Sequence, residues 1–309
     1  MTASSPSSVT VRVPAKVNVQ LAVAGPRSDG FHALANVFLA VSLYDRVTVT
    51  PSDGLRVTCS GPDAAQVPLD ASNLAARAAL ALAGRYGREA DVHIHIDKDI
   101  PVAGGMAGGS ADGAGALVAC DALWGTGASR SELLEICAEL GSDVPFSLIG
   151  GVALGEGRGE VLTPLEAGGT FHWVFAVADG GLSTPAVYGE CDRLRAAAGT
   201  DPGPDQPSAS PALLAALRAG DAVALAAAVS NDLQSAALSL RPSLASTLSA
   251  GVEAGALAAL VSGSGPTTAF LAKSREDGER VAAALSASGT CRAVRVAAGP
   301  VEGATVVAG

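Results

Sequence analysis

The sequence predicts an α+β protein of two lobes, and three observations lead there. The chain has 309 residues, 49% of them apolar and 16% charged, which allows a large buried core and two lobes of ordinary size. Short runs that alternate apolar and polar residues are interleaved with Ala/Leu-rich runs of helical length. The pattern resets near residue 160, which places one lobe at 1–160 and the other at 161–309.

In the first lobe, residues 10–13 and, past Pro14, 16–23 alternate as strand. A β-branched run over 37–50, interrupted near Tyr44 and Asp45, and residues 55–59 are further strands. Residues 73–85 read as a helix, 92–96 as a strand, 110–124 as a helix, and 131–140 as another, with Ser131 and Glu132 as start signals. In the second lobe, 171–177 begins a strand and the Pro/Gly/Ser-rich stretch 199–210 reads as a surface loop. Helices are expected over 213–228, 242–250 and 276–287. Strands are expected over 256–261 and 267–272, flanking a glycine-rich turn, and over 293–296. No internal repeat is evident.

Net charge is -10, and an acidic surface repels nucleic-acid phosphates and anionic membrane. A phosphorylated ligand would therefore need local devices: backbone amides, a helix N-terminus, a few cations or a metal ion. Cys59, Cys120, Cys137, Cys191 and Cys291 are odd in number and scattered. With no CxxC pair, neither a zinc site nor a disulfide framework is expected, and reduced thiols in the cytoplasm are the economical reading. Residues 1–8 lack the basic start and apolar run of a signal peptide, and no apolar stretch nears the roughly 20 residues of a membrane helix.

Three segments carry chemistry. The first runs Pro101-Val-Ala-Gly104-Gly105-Met106-Ala107-Gly108-Gly109-Ser110-Ala111-Asp112-Gly113, between an expected strand and an expected helix. Glycines let backbone N–H groups converge on a phosphate, and the helix adds its free N–H groups and positive dipole end. Ser110 adds a hydroxyl. No Gly-Lys-Ser/Thr follows, so this is not a Walker A loop, and it does not fit a dinucleotide fingerprint. The second segment is Pro14-Ala15-Lys16-Val17-Asn18, where Lys16 and Asn18 share one face of an extended segment. The third is Gly141-Ser142-Asp143-Val144-Pro145-Phe146. Taken alone, the first favours phosphate binding over a flexible glycine turn, whereas the second and third read more readily as an exposed strand lysine and a turn aspartate.

Together, and with Ser262-Gly263-Ser264-Gly265-Pro266 near the end, their order resembles the GHMP kinases, the family named for galactokinase, homoserine kinase, mevalonate kinase and phosphomevalonate kinase. The resemblance runs from Val11 to about Ala272. It implies an N-terminal lobe like domain 2 of ribosomal protein S5, a ferredoxin-like C-terminal lobe, and phosphoryl transfer from ATP with Mg²⁺. It also implies a catalytic role for Lys16 and Asp143, and nucleotide contacts from Lys98, Pro101, Gly104, Gly105, Met106, Ala107, Gly108, Gly109 and Ser110. Asn18 would orient the substrate.

Two further segments are similar to the branch of that family whose small-molecule substrate carries a cytidine diphosphate. In Arg27-Ser28-Asp29-Gly30-Phe31-His32, the resemblance implies that Phe31 stacks on cytosine and His32 meets the base edge. In Ser183-Thr184-Pro185-Ala186-Val187-Tyr188, it implies that Tyr188 forms the other wall. Two segments that fit the family, 155–160 and 230–233, carry no assigned role. One departure stands out: relatives have two serines where this chain has Ser110 and Ala111, and Asp112 could make up the lost hydroxyl through Mg²⁺. His93 and His95 share a strand face without a third metal ligand, which suggests a solvent-facing pair and no metal site. Oligomeric state, monomer or homodimer, is left open.

Overall fold

A computed structural model describes residues 6–200 and 206–307. In chain order the first part contains β1 (Val9–Pro26), β2 (His32–Pro51), β3 (Arg56–Ser60), α1 (Leu74–Arg85), β4 (Val92–Asp97), α2 (Gly108–Trp124), α3 (Arg130–Leu140), α4 (Val144–Ile149), β5 (Val152–Glu156) and β6 (Val161–Leu165). The second part contains β7 (Phe171–Val177), α5 (Thr184–Ala198), α6 (Pro211–Ala219), α7 (Ala222–Ala226), β8 (Ser230–Asn231), α8 (Gln234–Leu240), α9 (Leu244–Glu253), β9 (Ala258–Val261), β10 (Thr268–Ala272), α10 (Arg275–Ser288), β11 (Ala293–Gly299) and β12 (Thr305–Val307). The expected loop at 199–210 falls partly, and the expected polar start at 1–8 mostly, outside the described residues.

The larger sheet runs β12-β1-β2-β4-β3, with β5 beside β2, β6 beside β5, and β8 parallel to β1. Alternation along β1 buries Val11, Val13, Ala15, Val17 and Val19 on one face. The interruption expected at Tyr44 is a bulge: Pro14 pairs with Tyr44 but Ala15 with Val41, so β2 carries two extra residues opposite a proline that has no ladder donor. Helix α2 lies close on this sheet through Gly115, where a methyl would come within 2.7 Å of Val13 Cγ2 and 2.8 Å of Val47 Cγ2. Helix α3 starts one residue ahead of the expected signals. Its cap is Ser129, which accepts from Glu132 N while Glu132 accepts from Ser129 N, a reciprocal capping box.

The smaller sheet runs β11-β7-β10-β9. Along β7, Phe171, Trp173 and Phe175 face a core shared with the first sheet, while Val174 and Ala176 face a separate cluster with Val281 and Leu285 of α10. The single helix expected over 213–228 is two: Gly220, at φ +67°, ends α6, and the Asp221 carboxylate caps α7.

The lobe boundary differs from the expected division at 160. That point lies between paired strands, since β6 pairs along β5 from Val152–Leu165 to Glu156–Val161. The first sheet also reclaims the end of the chain, where β12 pairs with β1 through Thr10 and Val307. A three-residue strand with mixed polarity gives little periodic signal, so its return was not legible.

Candidate active site

Between the lobes lies a cleft of about 760 Å³. Its floor is the glycine-rich loop that joins β4 to α2. Ala103 and Ala107 both sit at positive φ, +52° and +61°, where a Cβ costs roughly 1–2 kcal/mol. Ala107 is the N-cap of α2 and offers no side-chain acceptor, so the first N–H groups of the helix stay free at its positive end. Gly104, Gly105, Ala107, Gly108, Gly109 and Ser110 all line the cleft. Pro101 and Met106 do not. Both are buried, and Met106 supports the loop from beneath, its carbonyl accepting from Lys16 N at 3.3 Å. The nucleotide contacts expected at these two positions therefore find no side chain in the cleft.

Lys16 and Asn18 share a face of β1, as alternation requires. Lys16 Nζ lies 3.6 Å from Asp143 Oδ2, and donates to Asn18 Oδ1 at 2.7 Å and to the Gly105 carbonyl at 3.0 Å. Asn18 Nδ2 in turn donates to Asn36 Oδ1 at 2.7 Å, which fixes its amide. Burial lowers the Lys16 pKa from its ordinary value, and Asp143 pulls against that. Asp143 stands at the start of α4, yet its carboxylate makes no cap bond and is 32% exposed, open to the cleft. Two positions 127 residues apart in sequence, 16 and 143, thus meet beside the phosphate loop.

The turn 262–266 leans on that loop. Ser262 Oγ donates to the Gly105 carbonyl at 3.1 Å. Gly105 sits at φ +74°, and a methyl there would come within 2.0 Å of the Ser262 carbonyl oxygen, so only glycine fits. Asn231 Nδ2 donates to the carbonyls of Val261 (2.8 Å) and Gly263 (2.7 Å). Asp232 accepts from Val23 N at 2.9 Å. The segment 230–233, unassigned from sequence, therefore ties the second loop to β1.

At the other end of the cleft, the Phe31 ring is 49% exposed, and the Arg158 guanidinium stands 5.1 Å from its centroid. The His32 and Tyr188 rings lie 5.0 Å apart, tilted by 36°. Burial, with the Asp143 charge, raises the Tyr188 phenol pKa well above its ordinary value, so the hydroxyl stays neutral. His32 Nε2 sits 3.1 Å from each carboxylate oxygen of Asp192. Thr184, Tyr188 and Asp192 are spaced i, i+4, i+8 on α5, and all three line the cleft. Asp192 and Arg158 went unread in the sequence. The four-residue spacing from Tyr188 would have found Asp192 had α5 been recognised as a helix.

Lys98 and Asp112 belong elsewhere. Lys98 lies behind the loop rather than in the cleft, with its ammonium against the Asp45 carboxylate and 2.9 Å from Asp112 Oδ2, and all three side chains are buried. Asp45 Oδ1 also accepts from the backbone N–H groups of Asp99 (2.8 Å) and Ile100 (2.9 Å). Burial disfavours the Lys98 charge, but Asp112 and Asp45 outweigh it and raise its pKa. Burial raises the Asp112 carboxyl well above the carboxylate range. Neither Lys98, expected to contact the nucleotide, nor Asp112, expected to act through Mg²⁺, lines the cleft; both side chains are packed with Asp45 behind the loop. Ala111 is fully buried in the core and does not line the cleft. His93 and His95 are only partly exposed and are bridged by the Thr58 hydroxyl, at 2.7 and 2.9 Å. Among the described residues, no group of three or more His, Cys, Asp or Glu is placed to hold a metal.

Comparison with known proteins decides the family. The sequence models for the GHMP kinases N terminal domain and the GHMP kinases C terminal domain match residues 73–151 and 213–291. The chain belongs to the GHMP kinases. This GHMP kinase is 74% identical over 300 residues to 4-diphosphocytidyl-2-C-methyl-D-erythritol kinase of Streptomyces avermitilis, covering 97% of this chain and 100% of that one. It is 61% identical to the enzyme of the same name from Thermobifida fusca, covering 98% and 100%. Among solved structures, a 4-(cytidine 5'-diphospho)-2C-methyl-D-erythritol kinase matches with a TM-score of 0.75 at 32% identity, over 93% of this chain and 98% of the other. A homoserine kinase from Cytophaga hutchinsonii also reaches 0.75, at 21% identity over 99% of both chains, and so shares the kinase's fold. Among the described residues, no helix of this kinase is long and apolar enough to cross a membrane.

Proposed function

We infer that this kinase transfers the γ-phosphoryl group of ATP to the 2-hydroxyl of 4-diphosphocytidyl-2-C-methyl-D-erythritol, a cytoplasmic step of the non-mevalonate route to isoprenoid precursors. One observation carries the reading. A single cleft has Lys16 and Asp143 at the phosphate loop, and Phe31, His32 and Tyr188 at its far end. The names and identity of the relatives agree with a cytidine diphosphate substrate that spans the two ends.

Phosphoryl transfer needs in-line placement and charge neutralisation more than covalent help from the protein. Asp143 accepts the hydroxyl proton as the oxygen attacks the γ-phosphorus, and the bond to the β-phosphate oxygen breaks to release ADP. Lys16 pairs with Asp143 and offsets charge on the moving group. Asn18, held by Asn36, orients the alcohol. Phe31 and Tyr188 flank the cytosine, and His32 meets its edge. The cleft offers hard oxygen donors at Ser110 and Asp143 and no soft ones, which suits Mg²⁺ held by Ser110 and the nucleotide's own phosphates. When bound, that ion neutralises phosphate charge.

The test is ADP release with the cytidine diphosphate alcohol against homoserine and mevalonate. Turnover confined to the first is expected. Turnover of homoserine or mevalonate instead, or none with any alcohol, would overturn the reading.

A further inference from the structure

We propose that Asp192 is a positioning residue that sets the base preference of the substrate end, by fixing which nitrogen of His32 faces the ligand. The inference rests on the reading above that a cytidine diphosphate occupies this end of the cleft.

The geometry leaves little freedom. His32 Nε2 lies equidistant, at 3.1 Å, from both oxygens of Asp192. A carboxylate is an acceptor only, so Nε2 must carry the proton, and Nδ1 is the one ring nitrogen left for another partner. The ring also packs against Tyr188, 5.0 Å away and tilted by 36°. Helix α5 delivers both controls together: Tyr188 and Asp192 stand one turn apart on the face turned to the cleft, while their neighbours Val187 and Cys191 are buried in the adjoining core. Asp192 makes no competing ion pair among the described residues, so its carboxylate is committed to the histidine. It remains a third exposed and lines the cleft.

Without Asp192, the imidazole could rotate about its side-chain bonds or exchange tautomers, and either nitrogen could meet the base as donor or acceptor. A base edge that presents an amine and one that presents a carbonyl at the same position would then be accepted alike. Asp192 removes that choice. Its charge adds a second constraint: a carboxylate at this end disfavours phosphates there and favours them toward Lys16 and the helix N-terminus.

The test compares Asp192→Ala and Asp192→Asn with the wild-type kinase, each assayed with the cytidine substrate, its uridine counterpart and ATP. Asp192→Ala is expected to raise KM for the cytidine substrate about tenfold or more. It should also narrow the cytidine-over-uridine ratio of kcat/KM, while kcat and KM for ATP stay within about threefold of wild type. Asp192→Asn keeps an oxygen acceptor for the Nε2 proton and is expected to recover most of the preference. If Asp192→Ala leaves the KM and the ratio unchanged, or raises both substrates' KM together with that for ATP, the positioning role is wrong. If wild type itself fails to phosphorylate the cytidine substrate, the underlying assignment fails instead, and the two failures are distinguishable.

Discussion

At the scale of single residues, the proposed chemistry turns on Lys16 and Asp143. Asp143→Asn keeps the volume and polarity of the side chain but cannot take a proton. Turnover should fall roughly 10²- to 10⁴-fold, the range of general-base catalysis, while ATP binding measured by calorimetry stays near wild type. Turnover close to wild type would remove Asp143 from the role of base. Lys16 makes a pH prediction with a definite sign. Burial lowers its pKa and Asp143 only partly restores it, so the ammonium is lost at a pH below that of an ordinary lysine. Since only the charged form offsets phosphoryl charge, kcat should drop on an alkaline limb that lies below the ordinary lysine range. Lys16→Arg keeps its charge throughout, so whatever activity it retains should lack that limb. A limb unchanged in the arginine variant would assign it to another group.

At the scale of elements, the decisive piece is α2 with the loop before it. Its N-terminus carries no side-chain cap among the described residues, which suits the proposed phosphate role, and it is held in place from behind by Asp45, Lys98 and Asp112. Lys98→Met would leave two buried carboxylates without their shared cation, a loss of about 3–5 kcal/mol that urea denaturation would register. Asp112→Asn keeps the Lys98–Asp45 pair and should be milder. The folded-state pKa of Asp112 lies above its unfolded value, so its contribution to stability is full below the unfolded pKa and declines as pH rises toward the folded one. The stability difference between Asp112→Asn and wild type should therefore move in the variant's favour as pH rises from about 4 to 7; a difference that is flat with pH would contradict this. This element also marks the limit of sequence reading. The loop, its flanking strand and helix, and the pairing of Lys16 with Asn18 are local patterns, and they were legible. The partners of Lys98 were not, because Asp45 stands 53 residues away on β2 and only folding brings the two together. Asp192 was hidden for a smaller reason: its role depends on helical phase with Tyr188, and 184–198 was read as a motif without a helix.

At the scale of the whole molecule, two lobes do not imply two folding units. Phe171, Trp173 and Phe175 of the second sheet share a core with β1, β2 and α2 of the first. The backbone N–H of Ala298 on β11 donates to the Ser42 hydroxyl on β2 at 2.9 Å. A methyl on Gly299 would come within 2.2 Å of the Ala40 carbonyl oxygen, so the sheets touch backbone to backbone there. The chain then crosses back, and β12 closes the edge of β1. Neither lobe can open without exposing apolar surface of the other, which argues for a single cooperative transition despite the length of the chain. The two tryptophans allow this to be measured, since Trp124 belongs to α2 and Trp173 to β7. Trp124→Phe leaves fluorescence reporting the second lobe, and Trp173→Phe leaves it reporting the first. In each variant, the urea midpoint by fluorescence should coincide with that by far-ultraviolet circular dichroism, because one event unfolds both lobes. A fluorescence midpoint that departs from the dichroism midpoint in either variant would mean that the lobes melt separately. The cleft between them would then be a seam between independent domains, and the contact of Gly105 with Ser262 would be a docking contact instead of part of one continuous core.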